Sequence, residues 1–406
     1  MSATALRCRV CETQFPLDPI GVCARCFGPL EPVYDWDALA ALPLRDRIEA
    51  GPRSLWRYAD FLPALPPDDA AGGPGFTPLV TAPRLASALG VGEILLKLDL
   101  ANPTHSFKDR VVAVAAAKAT EFGLDTLSAT STGNLANAVA ARAAATGRRA
   151  IIFCPAGLEE AKFRATTVYG ATVYGVRGSY DDCSRLVSEL AGEVDWAIVN
   201  VNLRSYYAEG SKTLAFEIVE QLGWEAPSAV VMPIGSGAMF TKVWNGFSQF
   251  RRLGLVLGEL PRLYGGQAEG CAPVASAFAE NRRVTPVRPA SQISSIAIGN
   301  PADGDLTIEI ARSSGGGVYA VTEDEVGANI SLLAETSGIF GEGATGVAIG
   351  ALREAVARGE IGADDRVVVL VTGTGLKTPQ LAQVSGTVVE IEPDIDAVLD
   401  ELGVTV

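Results

Sequence analysis

The chain has 406 residues, enough for two or three domains, and its 48% hydrophobic and 20% charged content fits a large buried core rather than a disordered chain. A net charge of −14 argues against broad binding to nucleic acid or an anionic membrane, since both need a basic surface, but it leaves room for a locally positive pocket and a small anionic substrate. The opening MSATALRCRV has no apolar signal core and no run approaches the ~18 residues needed to span a bilayer, so the expected location is the cytoplasm.

Residues 1–33 read as a unit of their own. Cys8, Cys11, Cys23 and Cys26 form two Cys-x-x-Cys pairs separated by eleven residues. In a large chain without an export signal, disulfides are the weaker explanation. Two such pairs are the usual way to set four thiolates around zinc, and the gap fits a small zinc ribbon. The alternatives are reduced thiols without metal, or a redox pair. No His or acidic cluster suggests a catalytic metal, so any zinc here is expected to be structural. Cys154, Cys183 and Cys271 are scattered and read as small core residues.

Residues 34–100 are expected to be an arm contributing to a large domain. The Pro-rich part from about 33 to 80, including PALPPDDAAGGPGFTPL, predicts extended chain with few regular elements. Beyond it short β-rich runs alternate with Ala-rich stretches: EILLKLDL before a helix from about 107, TLSAT before a helix from about 134, then AIIFCP, ATVYGVRG and WAIVNV. The series resumes with SAVVMPIG, LYGGQAEG and VVVLVTGTG. This alternation predicts an α/β fold with more than one parallel sheet. The expected division is a smaller α/β domain over 101–215 and a large one over 216–406. The stretch from about 281 to 320 reads as loop-rich and site-lining, and the C-terminal TVVEIEPDIDAVLDELGVTV as completing the large domain.

Four segments carry chemistry. In Asn102-Pro-Thr-His-Ser-Phe-Lys108-Asp-Arg110 a lysine stands at a helix start, where the positive dipole end disfavours its ammonium form and suits imine chemistry. An ordinary surface lysine fits the same spacing. Ser131, Thr132, Gly133 and Asn134 follow a strand and open a helix, a turn whose free N–H groups can hold an anion; Asn134 as a plain helix cap is the alternative. Gly235, Ser236, Gly237, Ala238 and Met239 repeat the strand–turn–helix pattern, with glycines that admit close backbone approach to a phosphate. Thr372 opens TGTGLK at the carboxyl end of the apolar run VVVLV, where open parallel sheets bind ligands.

In their order and spacing these segments resemble the fold-type-II pyridoxal-phosphate enzymes, relatives of the tryptophan synthase β chain, and fit the threonine synthase family best, in its form with a Cys-rich N-terminal segment. The resemblance runs from about residue 75 to 385. It implies Lys108 as the Schiff-base lysine, Asn134 near the phenolic oxygen of pyridoxal 5'-phosphate, and Ser131, Thr132 and Gly133 around the substrate carboxylate. It implies Gly235, Ser236, Gly237, Ala238 and Met239 as the cofactor-phosphate cup. Thr372 becomes the partner of the pyridine nitrogen, which a hydroxyl leaves largely unprotonated.

The segment from Asn200 to Thr213 resembles the family's substrate-phosphate region, with longer spacing; it nominates Asn200 and Arg204, the arginine because its planar fork binds phosphate at two points. Two departures stand out: His105 where relatives carry a small residue, and Thr374 where His is common. His105 reads as a local packing or hydrogen-bonding residue. The implied reaction converts O-phospho-L-homoserine and water to L-threonine and phosphate, by γ-elimination and β-addition in a carbon–oxygen lyase of threonine biosynthesis, and the family's usual assembly is a homodimer. A threonine or serine dehydratase or an O-phosphoserine-dependent synthase shares the cofactor segments and remains the rival; a catalytically silent cofactor- or zinc-binding interaction protein is the reading from another class.

Overall fold

The computed structural model describes residues 3–131, 133–157 and 160–403. Its largest sheet has six strands in the order Gly317–Val321, Arg262–Ala268, Ala229–Pro233, Arg366–Val371, Glu93–Leu98 and Leu79–Thr81. The first five run parallel and the last is antiparallel. A second, fully parallel sheet runs Thr172–Val176, Arg149–Pro155, Thr126–Thr130 and Ala197–Ile198. The third is a small antiparallel sheet of Gln14–Phe15, Ala3–Cys8 and Leu30–Tyr34, which carries the cysteine pairs. The chain is thus α/β with parallel and mixed sheets, as the alternation of runs predicts. Ala229–Pro233 and Thr126–Thr130 are buried along their whole length, as expected of strands covered on both faces.

Several expectations need correction. The 33–80 region is richer in helix than its proline content suggests: Trp36–Ala40, Leu44–Glu49 and the 3-10 segment Leu55–Phe61 lie in it. Leu39, Leu44, Ile48, Tyr58 and Phe61 bury themselves against Phe216 and Phe250, so packing overrides the local signals. WAIVNV yields a strand of only two residues, Ala197–Ile198, and the stretch from 281 contains a ten-residue helix, Gly304–Ser313. The C-terminal segment does not complete the large core. Residues 384–396 are exposed, Val388 almost entirely, and the last helix, Ile395–Glu401, is at most half-buried.

One helix joins the two larger sheets. In Lys108–Glu121 residues 109–119 are all buried. Its outer turns pack on Leu135, Ala138 and Val139 beside the four-stranded sheet. Its third residue points the other way. The guanidinium of Arg110, wholly buried, reaches Asp99 through Nε at 2.7 Å and Nη2 at 2.8 Å, and Glu217 through Nη2 at 2.8 Å. Lys97 adds an ion pair to Glu217 at 2.6 Å, and Thr77 donates to Asp99 at 2.8 Å. Two cations and two carboxylates therefore balance in a dry cluster that fixes this helix to strand Glu93–Leu98 and helix Lys212–Gln221.

Burial alone would push the Glu217 carboxyl up, but Arg110 and Lys97 beside it reverse the effect and hold it at about 2. A depressed carboxyl contributes stability that is present above its ordinary value near 4.5 and lost as pH falls toward 2, so urea denaturation should show weakening through that window. Arg110→Met leaves two buried carboxylates short of their partner, and is expected to lower unfolding free energy by about 3–5 kcal/mol in the same assay.

Candidate functional site

The site is assembled by a short ladder between three segments distant in sequence. Phe107 N–H donates to the Thr372 carbonyl at 2.9 Å, and Thr374 N–H to the His105 carbonyl at 3.1 Å. Ser106 and Gly373 form an antiparallel bridge, and Gly341 bridges Thr374 on the other side. Lys108, the first residue of its helix, thereby stands beside the carboxyl end of strand Arg366–Val371 and Thr372. His105 takes a left-handed turn, φ 59°, and is exposed, with Nδ1 3.3 Å from the Leu100 carbonyl oxygen. That is a turn residue's environment.

Glu342 lies at the centre of this arrangement. Its carboxylate accepts from Thr372 Oγ1 and from Asn134 Nδ2, both at 2.7 Å. A Cβ on Gly373 would lie 2.7 Å from the same carboxylate, so a side chain there would displace it. Lys377 Nζ completes the group by donating to Asn134 Oδ1 at 2.8 Å and the Thr104 carbonyl at 2.6 Å. Burial lowers the Lys377 pKa while Glu342 and Asp109 oppose that shift. Asp109, beside Lys108, is pushed up to about 6 by burial, despite hydrogen bonds from the Thr104 N–H and hydroxyl.

Lys108 Nζ itself donates to Tyr207 Oη at 3.1 Å, and lies 4.6 Å from the centre of the Phe107 ring. Glu342, Lys377 and Tyr207 are not nominated by the sequence: Lys377 lies inside TGTGLK and Tyr207 inside the Asn200–Thr213 segment, while Glu342 carries no local motif.

Gly235–Met239 follows strand Ala229–Pro233 and opens helix Ala238–Arg252. The first-turn N–H groups of that helix lack intrahelical acceptors and lie at its positive dipole end. Gly237 takes φ +90°, and a Cβ there would lie 2.5 Å from Thr307 Oγ1 and 2.9 Å from the Asp303 carbonyl oxygen. The cradle therefore requires glycine twice over, by conformation and by space. Ser106 Oγ is buried with no hydrogen-bond partner among the described residues. An open backbone cradle, an orphaned hydroxyl two residues from Lys108 and a hydroxyl at Thr372 fit a pyridine-aldehyde phosphate.

The nominated substrate-side residues are more widely spread. Ser131 Oγ accepts from Gly133 and Ala136 N–H groups at 3.3 and 3.2 Å, which shapes the turn before Asn134. Thr132 lies outside the described residues. Asn200 is tied by both side-chain ends to the backbone of Thr130, at 3.3 and 3.2 Å. Arg204 pairs with Asp303 at 2.9 Å, and Asp303 N–H in turn donates to the Ser236 carbonyl at 3.0 Å. Arg204 thus reaches the edge of the cradle, but its charge is met by a carboxylate there. The other oxygen of Asp303 accepts from Arg9 at 2.8 Å, so the small N-terminal sheet touches the same turn.

The Sγ atoms of Cys8, Cys11, Cys23 and Cys26 lie within 4.8 Å of one another. Cys8–Cys26 and Cys11–Cys23 separations are 3.4 and 3.6 Å, close to the ~3.8 Å edge of a tetrahedron built on ~2.3 Å zinc–sulfur bonds. Backbone N–H groups of Val10 and Cys11 donate to the sulfur of Cys8, and that of Arg25 to the sulfur of Cys23. Cys154, Cys183 and Cys271 are buried and free, away from this cluster.

Gly237→Ala is expected to weaken binding of pyridoxal phosphate, read by equilibrium dialysis, by about 10-fold or more, because Cβ strain at a left-handed position adds to the clash with Thr307 and Asp303.

Residues 70–373 match the family described as "Pyridoxal-phosphate dependent enzyme". A protein named threonine synthase from Methanocaldococcus jannaschii is 34% identical over 395 residues, 96% of this chain and 97% of the relative. Another so named, from Halalkalibacterium halodurans, is 35% identical over 84% of this chain and 95% of its own length. Among solved structures, diaminopropionate ammonia lyase from Escherichia coli superposes with a TM-score of 0.65 at 20% identity, covering 84% of this chain and 92% of that one. Threonine deaminase isoform 2 from Solanum lycopersicum gives 0.63 at 21% identity over 75% and 83%. These likenesses speak for the fold. With the ladder at Lys108 and the two threonine synthase relatives together, the chain belongs to the threonine synthase family of pyridoxal-phosphate dependent enzymes.

Proposed function

We propose that the protein converts O-phospho-L-homoserine and water to L-threonine and phosphate. The observation that carries this is the 34% identity to a named threonine synthase along 96% of the chain. Pyridoxal phosphate, when bound, supplies the electron sink for bond breaking next to the amino group. The rest is the work of this chain's residues. Lys108 is the cofactor lysine, and its freed amine takes the proton from the substrate α-carbon and delivers protons at the neighbouring carbon. Gly235, Ser236, Gly237, Ala238 and Met239 hold the cofactor phosphate through backbone N–H groups. Thr372 meets the ring nitrogen, and Asn134 the phenolic oxygen. Glu342 holds both of these side chains in register, and Lys377 holds Asn134 from its oxygen end. Ser131, Thr132 and Gly133 take the substrate carboxylate, and Asn200 and Arg204 its phosphate.

The reading extends to assembly and metal. The four cysteines bind one structural zinc, supported by their mutual sulfur distances. The working division is a ribbon over 1–33, an arm over 34–100, a smaller domain over 101–215 and a large one over 216–406. The chain works as a cytoplasmic homodimer without nucleic-acid or membrane partners; no helix among the described residues is long and apolar enough to cross a membrane. One observation favours a dehydratase instead: Arg204 is engaged by Asp303 and Asn200 by Thr130, so a second phosphate must break an existing pair to be held there.

Turnover separates the readings. Purified protein given O-phospho-L-homoserine should release phosphate and threonine in equal amounts, and Lys108→Ala should release neither. Phosphate with a 2-oxo acid, or no phosphate from cofactor-loaded protein, overturns the assignment. Zinc content by elemental analysis should be about one ion per chain, and Cys11→Ser should abolish it and lower the thermal midpoint.

A further inference from the structure

Lys108 has a partner that the cofactor segments do not supply. Tyr207 is 9% exposed and lies on the six-residue helix Arg204–Glu209, with Oη 3.1 Å from Lys108 Nζ. That helix is fastened at each end and on a third side. Arg204 pairs with Asp303 at 2.9 Å, and Tyr206 Oη donates to the Asp18 carbonyl at 2.9 Å. Glu209 is held by Lys212 at 2.6 Å and Lys242 at 2.7 Å, with the Tyr34 hydroxyl donating to it. Immediately after it, Gly210 lies so close to the lysine helix that a Cβ would be 2.7 Å from the Arg110 carbonyl oxygen and 2.8 Å from Val111 Cα. Backbone contact therefore fixes the spacing between the two helices, and with it the hydroxyl–amine distance.

We infer that Tyr207 is a catalytic residue, the hydroxyl that holds the Lys108 amine on line during imine exchange and proton transfer. The inference rests on the reading of Lys108 as the cofactor lysine. When the substrate C–H bond breaks, its electron pair stays on the substrate and the proton joins the Nζ lone pair. Tyr207 Oη accepts an N–H of the resulting ammonium and keeps it from swinging away. When Nζ is a neutral amine, the same hydroxyl can donate to its lone pair or accept its N–H. No covalent bond to Tyr207 forms or breaks. The Phe107 ring, 4.6 Å from Nζ, offers an apolar wall and no second hydrogen-bonding atom.

Tyr207→Phe removes only Oη, with Tyr319→Phe as a control that removes a hydroxyl bonded to Glu360 on the edge strand Gly317–Val321, outside the site. Two rates are read: phosphate release from O-phospho-L-homoserine, and borohydride-trapped attachment of pyridoxal phosphate to Lys108 in cofactor-stripped protein, quantified by mass spectrometry. In Tyr207→Phe, kcat is expected to fall about 10- to 100-fold with KM within about threefold, and attachment to slow about tenfold, the scale of losing one hydrogen bond to a charged group. Tyr319→Phe should stay within about twofold of wild type in both. Loss of only one of the two rates in Tyr207→Phe overturns the inference, as does loss of neither, or equal losses in Tyr319→Phe. If wild-type protein releases no phosphate, the substrate reading fails and the attachment rate alone decides the role of Tyr207. Tyr207→Met, which fills similar space without a hydroxyl, answers the same question if the phenylalanine variant does not fold.

Discussion

The buried charge cluster at Arg110 is what makes one machine of two sheets. Lys108, the lysine proposed to react, and this arginine are two residues apart on the same helix, yet they serve different sides of the molecule. Arg110 is locked by Asp99 and Glu217 to the six-stranded sheet and its helix, while the rest of the helix packs with the four-stranded sheet. A charge in a dry interior tolerates little displacement, because each carboxylate it leaves must be buried unpaired. Apolar packing alone resists sliding weakly. The ionic cluster supplies the directional restraint, and Lys108 inherits the resulting precision at the start of the helix.

Much of the proposed chemistry was suggested by the sequence because each candidate segment is local. NPTHSFKDR, STGN, GSGAM and TGTGLK each combine a strand end, a turn and a helix start within a few residues. Each alone has a bland alternative, such as a helix cap for Asn134; it is their common order along the chain that points to one family. What stayed hidden is partnership at a distance. Tyr207 is 99 residues from Lys108, Glu342 is 208 from Asn134, and Lys377 is 243 from Asn134. No window of the sequence contains both ends of such a pair. The helices between 36 and 61 were missed for a related reason: Leu39, Ile48, Tyr58 and Phe61 form them by burying on Phe216 and Phe250, which the proline-rich neighbourhood does not disclose.

The site also differs in kind from its motif description. Asn134 and Thr372 were read as separate contacts to opposite parts of a ring. In the fold they share one acceptor, Glu342, so the orientation of each depends on the other. Because the Thr372 hydroxyl proton is directed at that carboxylate, its oxygen is left with acceptor capacity toward anything that approaches it. Arg204 shows the opposite lesson. Its residue type suits phosphate, but in place it serves an ion pair between the tyrosine-bearing helix and the turn beside the cradle.

Asp303 has a consequence for how the chain can change. One carboxylate, 6% exposed, accepts Arg9 on one oxygen and Arg204 on the other while its backbone N–H holds the Ser236 carbonyl. The cysteine-bearing sheet, the tyrosine-bearing helix and the cradle thus meet at one residue. Losses at Arg9 and Arg204 then cannot add independently, since removing either redistributes the same negative charge onto the other. The N-terminal sheet is on that account not a detachable ornament. Detaching it would leave Asp303, and the turn that it holds, to Arg204 alone.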